Sequence, residues 1–256
     1  MKEVKDFTVT AAERINELYT LLRVKPTDGS MLPRIEPGQF VQVAVNAPDV
    51  FLRRPISVND VDVADNSLDL LVRLAGKGTR VLTGLETGAR LNIMLPLGHG
   101  FSLSAPSSAG RILLIGGGVG VAPLLYLGRR LRESGIQPEF LLGARSESDL
   151  LRIYDFRAIG RVHLSTEDGS AGEKGLVTQH SVLAEPIARI YCCGPSPMMK
   201  AVAKIAAERD IDCEISLENM MACGLGACLC CVENTVKGNV CVCTEGPVFN
   251  INMLNW

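Results

Sequence analysis

ENMMACGLGACLCCVENTVKGNVCVCTEGPVF, residues 218–249, holds six of the chain's nine cysteines between Cys223 and Cys243, and no cysteine precedes Cys192. Cys223, Cys228 and Cys231 follow one another with four and then two residues between them, and Cys241 or Cys243 supplies a fourth thiol. This is the plant-type spacing for a 2Fe-2S cluster. Thiolates suit soft iron, and Gly224 and Gly226 lack the Cβ that would keep backbone N–H groups from folding over a bridging sulfide. A structural zinc site competes with this reading, because Cys228 and Cys231 form a C-x-x-C pair that Cys241 or Cys243 extends. Disulfides fit less well: the N-terminus has no basic-then-apolar leader, and the thiols of a cytoplasmic chain are kept reduced. In an extended Val240–Cys243 segment Cys241 and Cys243 share one face, so alternation leaves the fourth ligand open.

Upstream of this tail, strands and helices alternate. Apolar strands are expected at 112–115, 139–142, 162–165, 187–192 and 214–217, with helices between them, notably 121–133 and 197–209. Alternation of this kind predicts a parallel sheet covered by helices on both faces. Further upstream, short β segments at 5–10, 18–24, 39–45, 56–58, 68–74 and 90–95 are punctuated by Pro26, Gly29, Pro33, Pro37, Gly38, Pro48, Asn66 and Gly88, and only 78–85 reads as helix. That punctuation predicts a small antiparallel barrel. The expected architecture is therefore an N-terminal antiparallel β-barrel (1–101), a nucleotide-binding α/β domain with a parallel sheet (102–216) and a C-terminal 2Fe-2S cluster domain (217–256).

Composition narrows the functions. With 47% apolar and 21% charged residues and a formal net charge of -2, the chain has the make-up of a soluble, cytoplasmic protein with room for two cores. It lacks the concentrated basic charge that a nucleic-acid partner needs, and its apolar runs are too short to span a membrane.

Three glycine or arginine motifs carry candidate chemistry. Arg53 and Arg54 precede Pro55, Ile56 and Ser57, where a guanidinium can clamp a pyrophosphate and a hydroxyl can meet a flavin ring nitrogen. Solvated charge at a strand edge is the plainer alternative. Leu71, Val72 and Arg73 lead through Gly76 to Gly78 and Thr79, either an anion site at a helix start or a tight turn with Thr79 as its cap. Gly116, Gly117, Gly118 and Gly120 join a strand to a helix and favour close approach of a phosphate. They do not match the dinucleotide fingerprint, because Val121 holds its third glycine position and Ala144, Arg145 and Ser146 stand where an acid is expected. Cys193, Gly194 and Pro195 end another strand at the edge where open α/β sheets bind ligands. His163 and His180 read as structural, His99 lies at a joint between modules, and no nucleophile, base and orienter are legible together.

Taken in order, these segments and the cysteine tail resemble the ferredoxin reductase family. Within it, residues 221–228 and 243–249 are similar to the electron-transfer subunits of two-subunit, NAD-dependent dihydroorotate dehydrogenases, and the resemblance covers essentially the whole chain. It implies FAD on the barrel, NAD on the α/β domain and a 2Fe-2S cluster in the tail. Carried over by residue, Arg54, Pro55, Ile56, Ser57, Leu71, Val72, Arg73, Gly78 and Thr79 would contact FAD. Gly116, Gly117, Gly118, Gly120, Cys193, Gly194 and Pro195 would hold NAD. Cys223, Cys228, Cys231 and Cys243 would ligate iron, the residues after Cys243 selecting it over Cys241, with Cys230 and Cys241 as additional thiols. Many reductases place tyrosine where Ile56 stands, and isoleucine is similar to the dihydroorotate branch.

The resemblance also implies a partner, an FMN-containing catalytic subunit that oxidises dihydroorotate in pyrimidine biosynthesis, assembled as a heterotetramer of two of each chain. NADH delivers a hydride, a 2Fe-2S cluster takes single electrons and a flavin exchanges with both, so FAD is expected between them. Rival readings are the small subunit of a soluble hydrogenase or an NADPH-linked ferredoxin reductase, and a non-enzymatic redox sensor or zinc-stabilised adaptor.

Overall fold

Apolar side chains at every second position draw the N-terminal segments into a closed barrel. A computed structural model describes residues 2–106 and 110–256; Met1 and residues 107–109, which fall inside the first and second expected modules, lie outside the described residues. The barrel strands are β1 (Glu3–Arg14), β2 (Tyr19–Pro26), β3 (Phe40–Val43), β4 (Arg54–Asp62), β5 (Ser67–Arg73) and β6 (Arg90–Leu97), closed in the order β1-β2-β5-β4-β3-β6. Val41 and Val43, Ile56 and Val58, and Leu68, Leu70 and Val72 pack in its core. Between β5 and β6 lies the short helix α1 (Lys77–Thr83).

The second unit is a sheet in the order β10-β9-β8-β7-β11-β12-β15. Its strands are β7 (Arg111–Gly117), β8 (Pro138–Ala144), β9 (Arg161–Thr166), β10 (Glu173–Lys174), β11 (Ile187–Cys193), β12 (Asp212–Ser216) and β15 (Val248–Asn250). All neighbours run parallel except β15, which pairs antiparallel with β12. The central strands are buried on both faces, as a sheet covered on each side requires. Leu113, Ile115 and Leu141 pack in one cluster with Met199 and Val202 of α4 (Ser196–Glu208). Ile112, Leu114, Phe140 and Leu142 pack in another with α2 (Ala122–Glu133) and Phe156 of α3 (Ile153–Ile159).

The barrel and sheet meet through α2. Asn59, wholly buried on β4, donates to the Ala122 carbonyl (2.9 Å) and accepts from the Arg152 guanidinium (3.0 Å). Tyr126 donates to the Ile35 carbonyl (3.1 Å), and Arg129 pairs with Asp60. Buried polar groups satisfied in this way fix how two modules sit together.

The tail departs from one expectation. Cys241 ends β14 (Gly238–Cys241), which pairs with β13 (Val232–Thr235), but Val242–Glu245 turns into the helical segment α5 rather than continuing extended. Val242 is fully buried, its N–H donates to the Cys231 carbonyl (3.0 Å), and its carbonyl accepts from Gly246 (3.0 Å). Cys241 thus ends a strand and Cys243 lies in a helical turn, although both thiols still lie against Gly226. The tail then returns to the body: β15 completes the sheet, and His99 N–H donates to the Gly246 carbonyl (2.6 Å).

Candidate functional site

The chain reverses its strand order between β7 and β11, and ligands of open α/β sheets bind in the crevice outside the carboxyl ends of the strands at such a point. A cavity of about 420 Å³ opens there. Of the residues expected to hold NAD, Gly117, Gly118 and Pro195 line it. The others shape it from behind. A Cβ on Gly120 would collide with the Cys193 carbonyl and lie 2.5 Å from Gly194 Cα, so the two loops close on each other only with glycine there. One on Gly116 would strike Val121 and Leu124, keeping α2 off the strand. Cys193 is buried, and burial pushes its thiol well above the ordinary range, so it is an inert wall rather than a nucleophile.

The same cavity reaches the barrel. Leu18, Tyr19 and Arg73 line it opposite the glycine turn. Burial raises the Tyr19 phenol above its usual range, against the opposing pull of Arg73, so it is a neutral donor. Arg145, Asp149 and Glu167 bring both signs of charge to the far side, just beyond the carboxyl ends of β8 and β9. Tyr19, Asp149 and Glu167 carry no motif. Their only sequence signal is position: two follow strands of a parallel sheet, and Tyr19 opens β2.

On the barrel, Arg54 lies across the start of α1. A Cβ on Gly78 would sit 2.5 Å from Arg54 Nε, so glycine clears the path of the guanidinium. The cap of α1 is Gly76, not Thr79; the Thr79 hydroxyl instead accepts from the N–H groups of Ala75 (2.8 Å) and Gly76 (3.0 Å), holding the turn closed. Pro55 and Ser57 are half-buried, Ile56 packs in the barrel core, Leu71 and Val72 are buried, and Arg73 is exposed. Arginine, hydroxyl and glycine turn thus converge at one end of the barrel, a chemistry that fits a dinucleotide's phosphates.

In the tail, backbone N–H groups point at sulfur. Leu225 donates to Cys223 Sγ (3.3 Å), Gly226 to Cys243 Sγ (3.2 Å) and Cys243 to Cys231 Sγ (3.4 Å). The Leu225 N–H above all draws the Cys223 thiol down to about 6, while burial first, and then Cys231, pushes Cys243 up to about 12. Cys228 also interacts with Cys223, and Cys231 with both Cys243 and Cys241, so these thiols gather around one place. Among the described residues no three His, Cys, Asp or Glu side chains converge to hold a single metal ion. Cys241 is half-buried beside Cys231, with its thiol toward the Gly226 carbonyl (3.7 Å), and Cys230 is exposed. The cysteine chemistry and the inward N–H groups fit a 2Fe-2S cluster.

His163 and His180 are structural. His163 bonds Glu139 (2.8 Å), and His180 Nδ1 accepts from the Val182 N–H (3.0 Å).

A barrel joined to a sheet with a nucleotide crevice, followed by a cysteine-rich tail, defines an NAD-linked reductase with an iron–sulfur module. Residues 114–204 match the oxidoreductase NAD-binding domain, and residues 218–255 match the iron-sulfur cluster binding domain of dihydroorotate dehydrogenase B. The chain is 40% identical to the dihydroorotate dehydrogenase B (NAD(+)) electron transfer subunit of Shouchella clausii over 84% of its own length and 85% of the relative's. It is 36% identical to that of Listeria innocua, over 94% of each. Among solved structures, it superposes with a TM-score of 0.85 on a chain of the NADH-dependent reduced ferredoxin-NADP oxidoreductase studied for flavin-based electron bifurcation, at 26% identity and over 97% of this chain and 89% of that one. A cytochrome P450 reductase from Amycolatopsis matches with a TM-score of 0.67 and 26% identity over 81% of this chain and 66% of that one. This chain belongs to the family of dihydroorotate dehydrogenase B electron transfer subunits, and it is an oxidoreductase subunit whose function is electron transfer. No helix among its described residues is long and apolar enough to cross a membrane.

Proposed function

We propose that this chain carries electrons between an FMN-containing catalytic subunit that oxidises dihydroorotate and NAD, in pyrimidine biosynthesis, with FAD on its barrel and two copies of each chain in the complex. Residues 1–101 form the FAD unit, 102–216 the NAD unit and 217–256 the cluster unit. One observation carries the reading: a single cavity is lined by Gly117, Gly118 and Pro195 of the sheet and by Tyr19 and Arg73 of the barrel. A nicotinamide bound at the sheet edge would share this cavity with the barrel, and the cluster loop packs on the barrel where Gly224 lies against Gln42 and Leu97.

Bound together, the three groups supply hydride exchange, conversion of a pair to single electrons and one-electron transfer. The protein's task is placement. Arg54 and the Gly78–Thr79 turn would hold the FAD phosphates, the Pro55, Ile56 and Ser57 segment would border the ring, and Leu71, Val72 and Arg73 form the adjoining strand. Gly116 to Gly118, Gly120 and the 193–195 loop seat NAD. Glu167, a carboxylate lining the same cavity as Arg145, favours a free ribose hydroxyl over a 2′-phosphate. Cys223, Cys228, Cys231 and Cys243 hold the cluster. Met220, Leu225 and Leu229, exposed by 84%, 48% and 64%, surround it and form part of the surface that meets the partner.

Among the described residues no base for removing a carbon-bound proton is assembled, in keeping with a reading that assigns the orotate chemistry to the partner. Assays of the separate chain, the partner and their mixture test this. Alone, the chain should pass electrons from NADH to an artificial acceptor and leave dihydroorotate untouched. Dihydroorotate oxidation by the isolated chain at the rate of the mixture would overturn the proposal.

A further inference from the structure

β3 alternates sharply. Val41 and Val43 enter the barrel core, whereas Phe40 packs outside it in the apolar cluster that contains Met94, Leu97, Cys231, Val242 and Cys243. Gln42 shares the outer face with Phe40. Its side chain is fully buried, and neither Nε2 nor Oε1 has a hydrogen-bond partner among the described residues. A buried amide with both ends unmade bears its whole desolvation penalty, so such a group calls for a missing partner.

Position indicates which one. A Cβ on Gly224 would lie 3.0 Å from Gln42 Cγ and 3.2 Å from Nε2, so the amide rests against the turn that follows Cys223. Gly224 has φ +70° and no side chain to cover the amide. Around this turn the N–H groups of Leu225, Gly226 and Cys243 already serve sulfur. In the barrel ladder Gln42 pairs with Pro55, in the segment assigned to FAD. The amide therefore stands between the flavin segment and the cluster loop.

We propose that Gln42 Nε2 donates a hydrogen bond to a sulfur of the cluster held by residues 223–243 and raises its reduction potential. The inference rests on the 2Fe-2S reading of the tail. A reduced cluster carries one more negative charge than an oxidised one, so a donor to its sulfur stabilises the reduced form more. Gln42 is thus a positioning residue for the step between flavin and cluster, and it makes no contact with the substrate.

The test uses the whole cluster-loaded chain and two variants, Gln42→Met, matched in length but without a donor, and Gln42→Glu. With full iron and sulfide, Gln42→Met should titrate at a lower cluster potential by EPR-monitored reduction and lose part of the D₂O sensitivity of its Fe–S stretching bands. Gln42→Glu, which adds negative charge, should titrate lower still. In the metal-free chain Gln42→Met should unfold at the same or a higher denaturant concentration, the opposite of what loss of an ordinary structural hydrogen bond produces. Independently of any variant, the reduced cluster of chain labelled with ¹⁵Nε-glutamine should show a weak ¹⁵N coupling. Absence of that coupling, or an unchanged potential in a fully loaded Gln42→Met, would overturn the proposal, as would a shift confined to the flavin. A wild-type chain without acid-labile sulfide would refute the cluster assignment itself.

Discussion

At the scale of single residues, the two candidates for the fourth cluster ligand differ by burial. Cys243 is wholly buried and receives the Gly226 N–H, whereas Cys241 is half-buried and faces the Gly226 carbonyl. A thiolate is stabilised by N–H donors and repelled by a carbonyl, so Cys243→Ser should lose most of the iron and acid-labile sulfide while Cys241→Ser keeps it. Elemental analysis with the visible spectrum decides; full cluster content in Cys243→Ser would rule out its assignment. Arg54 offers a parallel test on the barrel. Removing its guanidinium in Arg54→Ala deletes a charge-assisted contact of about 1.5–3 kcal/mol, so FAD retention should fall at least tenfold. Unchanged flavin content after gel filtration would make Arg54 a solvated charge.

At the scale of elements, the turn that joins β7 to α2 and the loop after β11 form the crevice only because they touch. Gly120→Ala would drive a methyl into the Cys193 carbonyl, whose backbone cannot yield without displacing β11. NADH affinity should drop by an order of magnitude or more, read by flavin reduction at varied NADH, while flavin content holds.

The element that follows β10 titrates. Burial lowers the His180 pKa below its unfolded value, outweighing the pull of Glu173 at 3.6 Å and acting with repulsion from His163, whose ring lies 5.6 Å away. The folded chain therefore binds this proton less readily than the unfolded chain. The contribution is fully present above about pH 6.5, the unfolded pKa, and is lost as pH falls toward the folded value, where protonation would also break the bond from the Val182 N–H. His180→Asn should flatten the decline in Tm between pH 7.5 and 5.5. An equal slope in both proteins would assign that decline to other groups.

At the scale of the whole molecule, the last residues tie the modules together. Val248 and Phe249 are buried, β15 covers the edge of β12, and His99 bridges to Pro247. Phe249→Ala should cost about 3–5 kcal/mol, as loss of a buried aromatic does. Because Phe249 packs in the same cluster as Cys231, Cys243 and the sheet residues, sheet and tail should unfold together at the lower midpoint. Retention of the wild-type Tm by the sheet, with only the tail loosened, would mean that the two are independent.

The barrel, the parallel sheet and the cysteine module were legible in the sequence because each rests on local order: period-two burial, strand–turn–helix alternation around Gly116–Gly118, and the spacing of Cys223, Cys228 and Cys231. The helices expected at 121–133 and 197–209 correspond to α2 and α4, whose interiors are set by the same periodicity. Tertiary structure alone decided three things. It turned the chain from strand to helix at Val242, so that Cys243 receives the Gly226 N–H while Cys241 faces the Gly226 carbonyl. It brought Leu18, Tyr19 and Arg73 of the barrel unit to a cavity otherwise lined by residues from Gly117 onward. It also sealed Gln42 beneath Gly224, an encounter between positions far apart in the chain that no spacing or period could announce, since it exists only where barrel and tail exclude water from each other.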